Sequence, residues 1–263
     1  MCFNIRQVLK KSLKLAKKDG DLDEAGILKQ LILELETDSI ILNDYYQVSA
    51  FSHPKVIVFA NTNPNKPILS QWGLIPDWAN EPDKIWNSTL NARGETIFEK
   101  PSFKRSAHDK RCIIAIEGFY EHHDYKSKKY PFYITRKDTE PLYIAGLWND
   151  WTNKQTGEIL NTFSIVTTNA NALMAKIHNN PKASESHRMP VILTEALALE
   201  WMKQLSEKEI RELAKYQFPD SQLDSWTVRK LSGKDSPGNV PEANEKYKYE
   251  DLVFDDNREN TLF

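Results

Sequence analysis

RCIIAI, at residues 111–116, decides the fold, because every residue of this run except the first is apolar and three of them are isoleucines. A short apolar run of this kind is typical of a buried strand. Further runs rich in β-branched and aromatic residues alternate with turns at residues 45–60, 131–135, 142–148 and 163–167. Each of these runs predicts strand structure, so we expect β-sheet at the centre of the molecule.

Helical spacing of apolar residues occurs around these runs. It predicts helices at residues 170–177, 194–204 and 207–214, and a helix-rich segment at about residues 8–36 that Asp19-Gly20-Asp21 divides in two. Because strands and helices do not alternate regularly, we expect an α+β fold. It would be a single compact domain of mainly antiparallel sheets, with a barrel-like core and flanking helices, over residues 1–232. Residues 233–263, rich in Gly, Pro and charge, would form an extended C-terminal tail on its surface.

The composition restricts the class of protein. The 263 residues carry 35 basic and 37 acidic side chains, and this balance argues against coating of duplex DNA but leaves room for a local basic groove. Two cysteines exclude a disulfide scaffold and a cysteine zinc cluster, and they favour a reducing compartment. No run approaches the roughly 18 apolar residues of a membrane span, and no metal-binding histidine spacing occurs. We therefore expect a soluble, cytoplasmic protein without a metal site.

Cys2 is the most informative single residue. Removal of the initiator methionine would leave it as the mature terminus, with a thiol and a free α-amine on neighbouring carbons. Free α-amines titrate at about pH 8 and thiols at about 8.5, so both are partly available as nucleophiles at neutral pH. An aldehyde would form a Schiff base with the amine, and the sulfur would then close a five-membered thiazolidine. Alternatively, Cys2 has no role. Cys112, inside the apolar run, is expected to be a buried structural residue.

Four further residues could take part in such chemistry. Asn91 and Arg93 share a face if their segment is extended, and they offer a carboxamide and a planar fork that suits phosphate. Glu121 follows two aromatic residues, whose bulk would desolvate its carboxylate and suit it to acid–base work. His178, at the end of the helix predicted at 170–177, could move protons. Taken singly, each residue is more simply interpreted as a structural or surface residue.

Six motifs follow one another along the chain: Met1-Cys2, QWGLIPDWA at residues 71–79, NARGET at 91–96, RCIIAIEGFYE at 111–121, IHN at 177–179 and RMPVIL at 188–193. Together they resemble the SOS response-associated peptidase family, the abasic-site processing proteins that become crosslinked to damaged single-stranded DNA. The resemblance covers most of the chain. The segment at residues 8–36 looks like an insertion found in a subset of this family.

The resemblance implies roles for nine residues. Four would be catalytic: Cys2 forms the thiazolidine, Asn91 holds the terminal cysteine and the sugar, Glu121 is the catalytic carboxylate, and His178 assists opening of the sugar ring. Five would contact DNA, with Arg93 and Arg188 as phosphate-binding arginines and Trp72, Gly73 and Thr168 as a DNA-facing loop.

The imidazole has a second candidate. In the family it usually lies two residues before the RMP arginine, where this chain has Ser186, and His187 lies one residue before it. We assign the role to His178 because the IHN context fits better, which makes residues 180–187 an insertion. Glu117 and His122 also depart from the family pattern, since Asp and Trp are usual at these positions.

The implied function is a covalent one. The protein would remove its own Met1, as a cysteine peptidase acting on itself, and would then form a thiazolidine crosslink with abasic sites in single-stranded DNA. It would need no cofactor and would act as a monomer, with a lyase activity as an associated expectation. Two alternatives remain open. One is a non-covalent single-stranded DNA-binding module, and the other is a general cysteine peptidase that pairs Cys2 with His178.

Overall fold

The computed structural model describes residues 2–8, 44–180 and 187–254. These residues form thirteen strands and four α-helices, joined by turns and short 3-10 helices. Apart from Val8, the helices predicted at residues 8–36 lie outside the described residues. Met1 and residues 255–263 of the predicted tail also lie outside them.

Five strands form an antiparallel sheet that contains the start of the chain. They are β1 (Asn4–Gln7), β2 (Tyr45–Ser49), β7 (Gly118–Tyr125), β8 (Lys128–Arg136) and β13 (Leu223–Thr227). Their order is β13–β8–β7–β1–β2. The first strand of the chain therefore lies inside the sheet, hydrogen-bonded on both edges.

Eight strands form a second sheet. They are β3 (Lys55–Ala60), β4 (Ile68–Trp72), β5 (Asn91–Arg93), β6 (Arg111–Ile116), β9 (Leu142–Thr152), β10 (Ile159–Asn169), β11 (Arg188–Pro190) and β12 (Ile192–Leu193). β10 pairs with both β9 and β4, and β4, β3, β6 and β9 pair in turn, so five strands close into a ring. Only the pairings of β10 with β4 and with β5 are parallel within the described sheets. The predicted α+β fold with a barrel-like core of mainly antiparallel strands is confirmed.

The apolar runs predicted as strands lie within this framework. Each of the runs at 111–116, 131–135, 142–148 and 163–167 falls inside one strand, and the run at 45–60 contains β2 and β3 around a short 3-10 helix. All six residues of β6 are buried, because both of its faces are covered. Cys112 and Ile114 join the hydrophobic cluster between the two sheets, whereas Ile113 and Ala115 join a second cluster that the helices cover.

The described α-helices are short and lie around the ring. They are α1 (Lys104–Asp109), α2 (Ala172–Ile177), α3 (Glu195–Trp201) and α4 (Glu207–Leu213). All three predicted helices are present with slightly narrower bounds, and each begins after a side chain that accepts a backbone N–H as N-cap: Asn171, Thr194 and Ser206. No helix in the described part of the chain combines the length and the apolar character needed to cross a bilayer.

Gln7 joins the five-stranded sheet to the ring through a buried and fully paired amide. Its Nε2 donates to the carbonyls of Ile57 at 3.0 Å and Ala115 at 3.1 Å, and its Oε1 accepts from the Ile57 N–H at 2.8 Å. Leaving one such buried group unpaired typically costs about 1–3 kcal/mol. This contact fixes the position of β1 and therefore of the residues that precede it.

Residues 233–254, the described part of the predicted tail, lie against the five-stranded sheet. The indole Nε1 of Trp226 donates to the Asn244 carbonyl at 2.7 Å, and the Tyr247 N–H donates to the Thr227 carbonyl at 2.8 Å. Ala243 is the buried residue of a short 3-10 helix at Pro241–Asn244. These contacts cover the end of β13.

Candidate active site

The residues before β1 run toward the part of β7 that carries Glu121. In this antiparallel pair Asn4 lies opposite Tyr120 and Ile5 opposite Phe119. Continuing the register by two residues places Phe3 and Cys2 beside Glu121 and the residue after it. The sheet itself therefore brings the second residue of the chain to the carboxylate predicted as catalytic.

The Cys2 thiol is buried and protonated. Its side chain is fully covered, and Sγ lies 3.9 Å from the Asn4 carbonyl oxygen. Burial, followed by the negative charge of Glu121, raises the pKa of this thiol well above its usual range. The sulfur becomes a strong nucleophile only when a neighbouring base takes its proton.

Asn91 holds the amino-terminal segment by its backbone. It begins β5, which pairs with β10, and its Nδ2 donates to the Cys2 carbonyl at 3.0 Å. Its Oδ1 is buried, and none of the described residues donates a hydrogen bond to it. Because a buried amide oxygen without a donor costs free energy, this atom is available to an ammonium or hydroxyl group that binds beside Cys2.

Glu121 and His178 form a buried acid–imidazole pair next to the thiol. His178 Nδ1 lies 3.7 Å from Glu121 Oε2 and 3.1 Å from the Arg188 carbonyl oxygen. Two acceptors near Nδ1 place the proton of the neutral ring there, which makes Nε2 the basic nitrogen. Burial lowers the pKa of His178 below its ordinary value, although the charge of Glu121 acts in the opposite direction. The imidazole is therefore neutral at pH 7.

Two contacts hold His178 against β7. The Asn179 side chain accepts from the Asp124 N–H at 2.7 Å and donates to the Asp124 carbonyl at 3.0 Å. The His123 ring Nδ1 lies 2.9 Å from the Lys176 carbonyl oxygen. Because Asp124 and His123 belong to the same strand as Glu121, these contacts set the separation of carboxylate and imidazole.

His187, the alternative imidazole, lies close to His178. The two ring centroids are 6.4 Å apart, and the structure brings His178 into the contact with Glu121. His187 Nδ1 is buried, and no hydrogen-bond partner for it is found in the described ranges. Those ranges also contain no convergent group of three His, Cys, Asp or Glu side chains that could hold a metal ion.

The two predicted phosphate-binding arginines differ in how they are engaged. Arg188 is only 7% exposed, and its fork pairs with both carboxylate oxygens of Glu95 at 2.9 and 2.7 Å. Burial opposes ionisation of Glu95, but the hydrogen bond from Arg188 and the charges of Arg188 and Arg93 lower its pKa. Arg93 is half-buried on the same face of β5 as Asn91, because Ala92 between them points into the core. A phosphate at Arg188 would have to share the guanidinium with Glu95.

The predicted DNA-facing loop is buried. Trp72 is fully covered and its indole Nε1 donates to the Leu90 carbonyl at 2.8 Å. Gly73, at φ +125°, is packed so closely that an added Cβ would meet His53 and Trp86. Thr168 is also buried. The Trp72 indole is held in the core by its hydrogen bond to Leu90 and its contact with the Phe163 ring, and contact of this loop with DNA stays a prediction.

A family model described as SOS response associated peptidase (SRAP) matches residues 7–234. The chain belongs to the SRAP family. This finding confirms the resemblance that the six motifs indicate.

Several SRAP relatives are named abasic site processing proteins. YoaM of Bacillus subtilis is 38% identical over 176 residues, which cover 65% of this chain and 73% of YoaM. YoqW of the same organism is 43% identical over 133 residues, which cover 50% of this chain and 55% of YoqW. HMCES of Xenopus tropicalis is 30% identical over 196 residues, which cover 67% of this chain and 53% of HMCES. The chain thus spans little more than half the length of YoqW and HMCES.

Solved structures share the SRAP architecture seen here. A protein from Bacteroides thetaiotaomicron aligns with a TM-score of 0.77 at 33% identity, covering 94% of this chain and 100% of that one. A protein from Bordetella bronchiseptica, at 22% identity and a TM-score of 0.62, shares the fold.

Two aromatic residues beside the SRAP site were not predicted from the sequence. The ring of Phe3, which follows Cys2, lies 4.9 Å from the ring of Phe51, and Phe51 is 57% exposed. The Ala50 N–H donates to the Phe3 carbonyl at 2.7 Å, which fixes the pair. The exposed ring of this pair, next to Cys2, offers a surface on which another planar group can stack. The sequence signal for this pair is only that Phe51 is an aromatic residue inside a polar turn. Its neighbour Phe3 comes from a distant segment.

Proposed function

We propose that this SRAP chain processes abasic sites in single-stranded DNA by forming a covalent thiazolidine crosslink through Cys2, after it has removed its own Met1. One observation carries the proposal: Cys2, Asn91 and the Glu121–His178 pair, from four separate segments, meet at one buried point. The relatives named abasic site processing proteins support the choice of substrate.

The crosslink needs only the two groups of an amino-terminal cysteine. The α-amine attacks the aldehyde carbon of the ring-opened sugar to give a carbinolamine, which loses water to form an imine. Sγ then adds to the imine carbon while the thiol proton moves to the nitrogen, and this closes the five-membered ring. One aldehyde and one aminothiol are consumed and one water leaves. No atom is oxidised or reduced, so the reaction needs no cofactor.

Glu121 and His178 divide the proton transfers in this scheme. Neutral His178 takes the hydroxyl proton of the closed sugar through Nε2, which opens the ring to the aldehyde. Glu121 lies close enough to raise the pKa of the Cys2 thiol, so it is positioned to accept the thiol proton as sulfur adds and to pass it to the nitrogen. Asn91 Oδ1, buried without a donor in the described structure, accepts a hydrogen bond from the amine or the sugar hydroxyl.

Single-stranded DNA suits the surroundings of this site. A baseless sugar in a single strand has no pairing to break and little stacking to lose when it enters a pocket. Arg93 would bind the neighbouring phosphate, and the exposed ring of Phe51 would stack on an adjacent base. Because the net charge is −2, there is no general electrostatic attraction to DNA, and such local contacts would select the strand.

The state of the thiol disfavours a general cysteine peptidase. Such enzymes attack with a thiolate whose pKa is lowered by an adjacent imidazolium. Here burial and Glu121 raise the pKa of Cys2, and burial lowers that of His178, so both groups are neutral. A neutral thiol fits a reaction in which the amine attacks first and the sulfur follows.

The test is a denaturing gel with a single-stranded oligonucleotide from which uracil has been excised. Wild-type protein should give a heat-stable adduct, and the mass of its amino-terminal peptide should show loss of Met1 and gain of the sugar fragment. Cys2→Ser should give no adduct. Cys112→Ser, which removes the other buried thiol, should still give it.

Two outcomes would contradict the proposal. A Cys2→Ser variant that forms the same adduct would rule out the thiazolidine. Wild-type protein that retards the oligonucleotide on a native gel, yet forms no adduct, would instead support the non-covalent DNA-binding module.

A further inference from the structure

A cavity of about 440 Å³ lies between the residues that follow β13 and the segment that carries Tyr247 and Tyr249. Three cationic side chains and one carboxylate line it: Arg229, Lys230, Lys234 and Asp235. A second cavity of similar volume, beside Trp86 and Trp151, is lined instead by one lysine and two carboxylates. The difference in charge favours an anionic ligand in the first cavity.

Arg229 and Lys234 are free to bind such a ligand. Both side chains are exposed, and neither forms an ion pair with any residue that the structure describes. The Arg229 guanidinium lies over the Tyr247 ring, 4.7 Å from its centroid. A guanidinium held flat on an aromatic ring can bind a phosphate at its edge while its plane stacks with a base.

The opposite wall of the cavity is fixed. The Tyr249 hydroxyl donates to the Val228 carbonyl at 2.8 Å, and its ring packs edge-on against Tyr130, 5.0 Å away. Lys230 donates to the Lys129 carbonyl and lies 5.2 Å from the Tyr249 ring, so this cation belongs to the wall. Proteins that bind single strands without sequence preference combine fixed aromatic rings with cations that follow the phosphates.

The cavity is linked to the active site through β7 and β8. Tyr130, which contacts Tyr249, pairs with His123, and His123 lies two residues after Glu121 on β7. Two residues of strand, one cross-strand step and two ring lengths limit the separation of the cavity and Glu121 to about 20 Å at most. Because a fully stacked strand rises roughly 3.4 Å per nucleotide and an extended one rises more, a straight path of this length takes about six nucleotides at most.

We propose that Arg229, Lys234 and Tyr247 form a subsite for single-stranded DNA, within about six nucleotides of the abasic position and to one side of it. Arg229 and Lys234 bind phosphates of the flanking strand, and the Arg229–Tyr247 pair stacks with a base. The location of the abasic position rests on the proposed function, whereas binding at the subsite does not require the crosslink.

The test measures binding of oligonucleotides that carry a tetrahydrofuran abasic analogue, which has no aldehyde and cannot crosslink. The short form has about two nucleotides on each side of the analogue, and two longer forms add about ten nucleotides on the 5′ or the 3′ side. Wild-type protein should bind one of the longer forms more tightly. Arg229→Ala/Lys234→Ala should bind that form about tenfold more weakly, and the slope of log affinity against log salt should fall by about 1.4. The short form should bind equally well to both proteins.

Lys154→Ala/Lys208→Ala is the matched control, since it removes two positive charges from the second cavity and from α4 and should leave all three affinities unchanged. Both variants should melt at the wild-type temperature. The subsite is ruled out if Arg229→Ala/Lys234→Ala binds the longer form normally, if the control loses as much affinity, or if the short form is equally affected. A glutamate-rich peptide that competes better than an oligothymidylate of equal charge would assign the cavity to an acidic protein instead.

Failure of the subsite and failure of the proposed function give different results. Side-specific loss of binding in a protein that forms no adduct with true abasic DNA would support the subsite and contradict the crosslink. Adduct formation without side-specific loss of binding would support the crosslink and contradict the subsite.

Discussion

At the scale of single residues, Glu121 influences two neighbours in ways that matter for the proposed chemistry. Its charge adds to burial in raising the pKa of the Cys2 thiol, and it opposes burial in the case of His178. Burial is the larger influence on both groups. The site therefore holds a protonated thiol and a neutral imidazole beside one carboxylate, so the proposed reaction begins with a proton transfer.

Glu121→Gln should distinguish the role of this carboxylate as a proton acceptor from the effect of its negative charge. Crosslinking should slow by about 10²-fold or more because the proton acceptor is lost, whereas affinity for single-stranded DNA should hardly change. At the same time the pKa of the Cys2 thiol should fall, since a negative charge is removed. Thiolate absorbance against pH, measured in a Cys112→Ser background, gives the pKa, and a denaturing gel gives the rate. A variant that crosslinks faster, in step with its more acidic thiol, would show that Glu121 acts only as a charge.

Asn91→Ala should lower both crosslinking and stability. The Cys2 carbonyl would lose its side-chain donor, which should cost about 1–3 kcal/mol in the free energy of unfolding and slow the reaction at least tenfold. Asn91→Asp keeps the Oδ1 acceptor and removes the donor, so it should retain part of the rate. Urea denaturation and single-turnover gels measure the two quantities. Wild-type rates in Asn91→Ala would remove this residue from the site.

The sequence indicates the chemistry of the candidate site residues but not their surroundings, for a physical reason. Amine, thiol, carboxylate and imidazole chemistry is intrinsic to the residue type and is visible in a motif. Whether Trp72 faces a ligand or the core depends on Leu90 and Phe163, which come from other segments of the chain. The pairing of Phe3 with the exposed Phe51 likewise depends on a contact between distant segments.

At the scale of elements, the predicted strands have a local sequence signal, whereas the missed strands depend on contacts with distant segments. β6 is buried on both faces, so its apolar run is unmistakable. β1 has the sequence NIRQ, in which one residue is apolar, and its strand conformation is imposed by β2 and β7 on its two edges. The parallel pairing of β5 with β10 also has no local signal, because it joins segments far apart in the chain.

The contact between Asn179, which follows α2, and Asp124 of β7 should affect the crosslinking rate but not the affinity for DNA. Asn179→Ala removes both hydrogen bonds to the Asp124 backbone, so His178 would no longer be held beside Glu121. We expect crosslinking to slow about tenfold, in line with the cost of misplacing a catalytic group. Asn179→Asp keeps the acceptor for the Asp124 N–H, so its crosslinking rate should lie between those of the wild type and Asn179→Ala. Gels under single-turnover conditions give the rates, and an equal loss of affinity would make Asn179 part of the DNA surface.

At the scale of the whole molecule, the proposed site is part of the core. Cys2 belongs to the hydrophobic cluster between the two sheets, together with Ile5, Phe119 and Ile177. Buried titratable groups link function to folding, because the free energy that shifts their pKa values is drawn from the stability of the folded state. The pH dependence of unfolding therefore reports on the burial that the reaction requires.

Stability should be greatest between about pH 6.5 and 9, and should fall on both sides. Burial lowers the pKa of His178 and His122 below 6.5, so below that pH the unfolded chain binds these protons first and unfolding becomes more favourable. Burial raises the pKa of the Cys2 and Cys112 thiols above 9.0, so above that pH the unfolded chain releases protons that the folded chain retains. Each group adds a slope of at most about 1.4 kcal/mol per pH unit. Urea denaturation across this range should show a smaller acid slope in His178→Gln and a smaller alkaline slope in Cys112→Ala, and a flat wild-type profile would contradict the burial of all four groups.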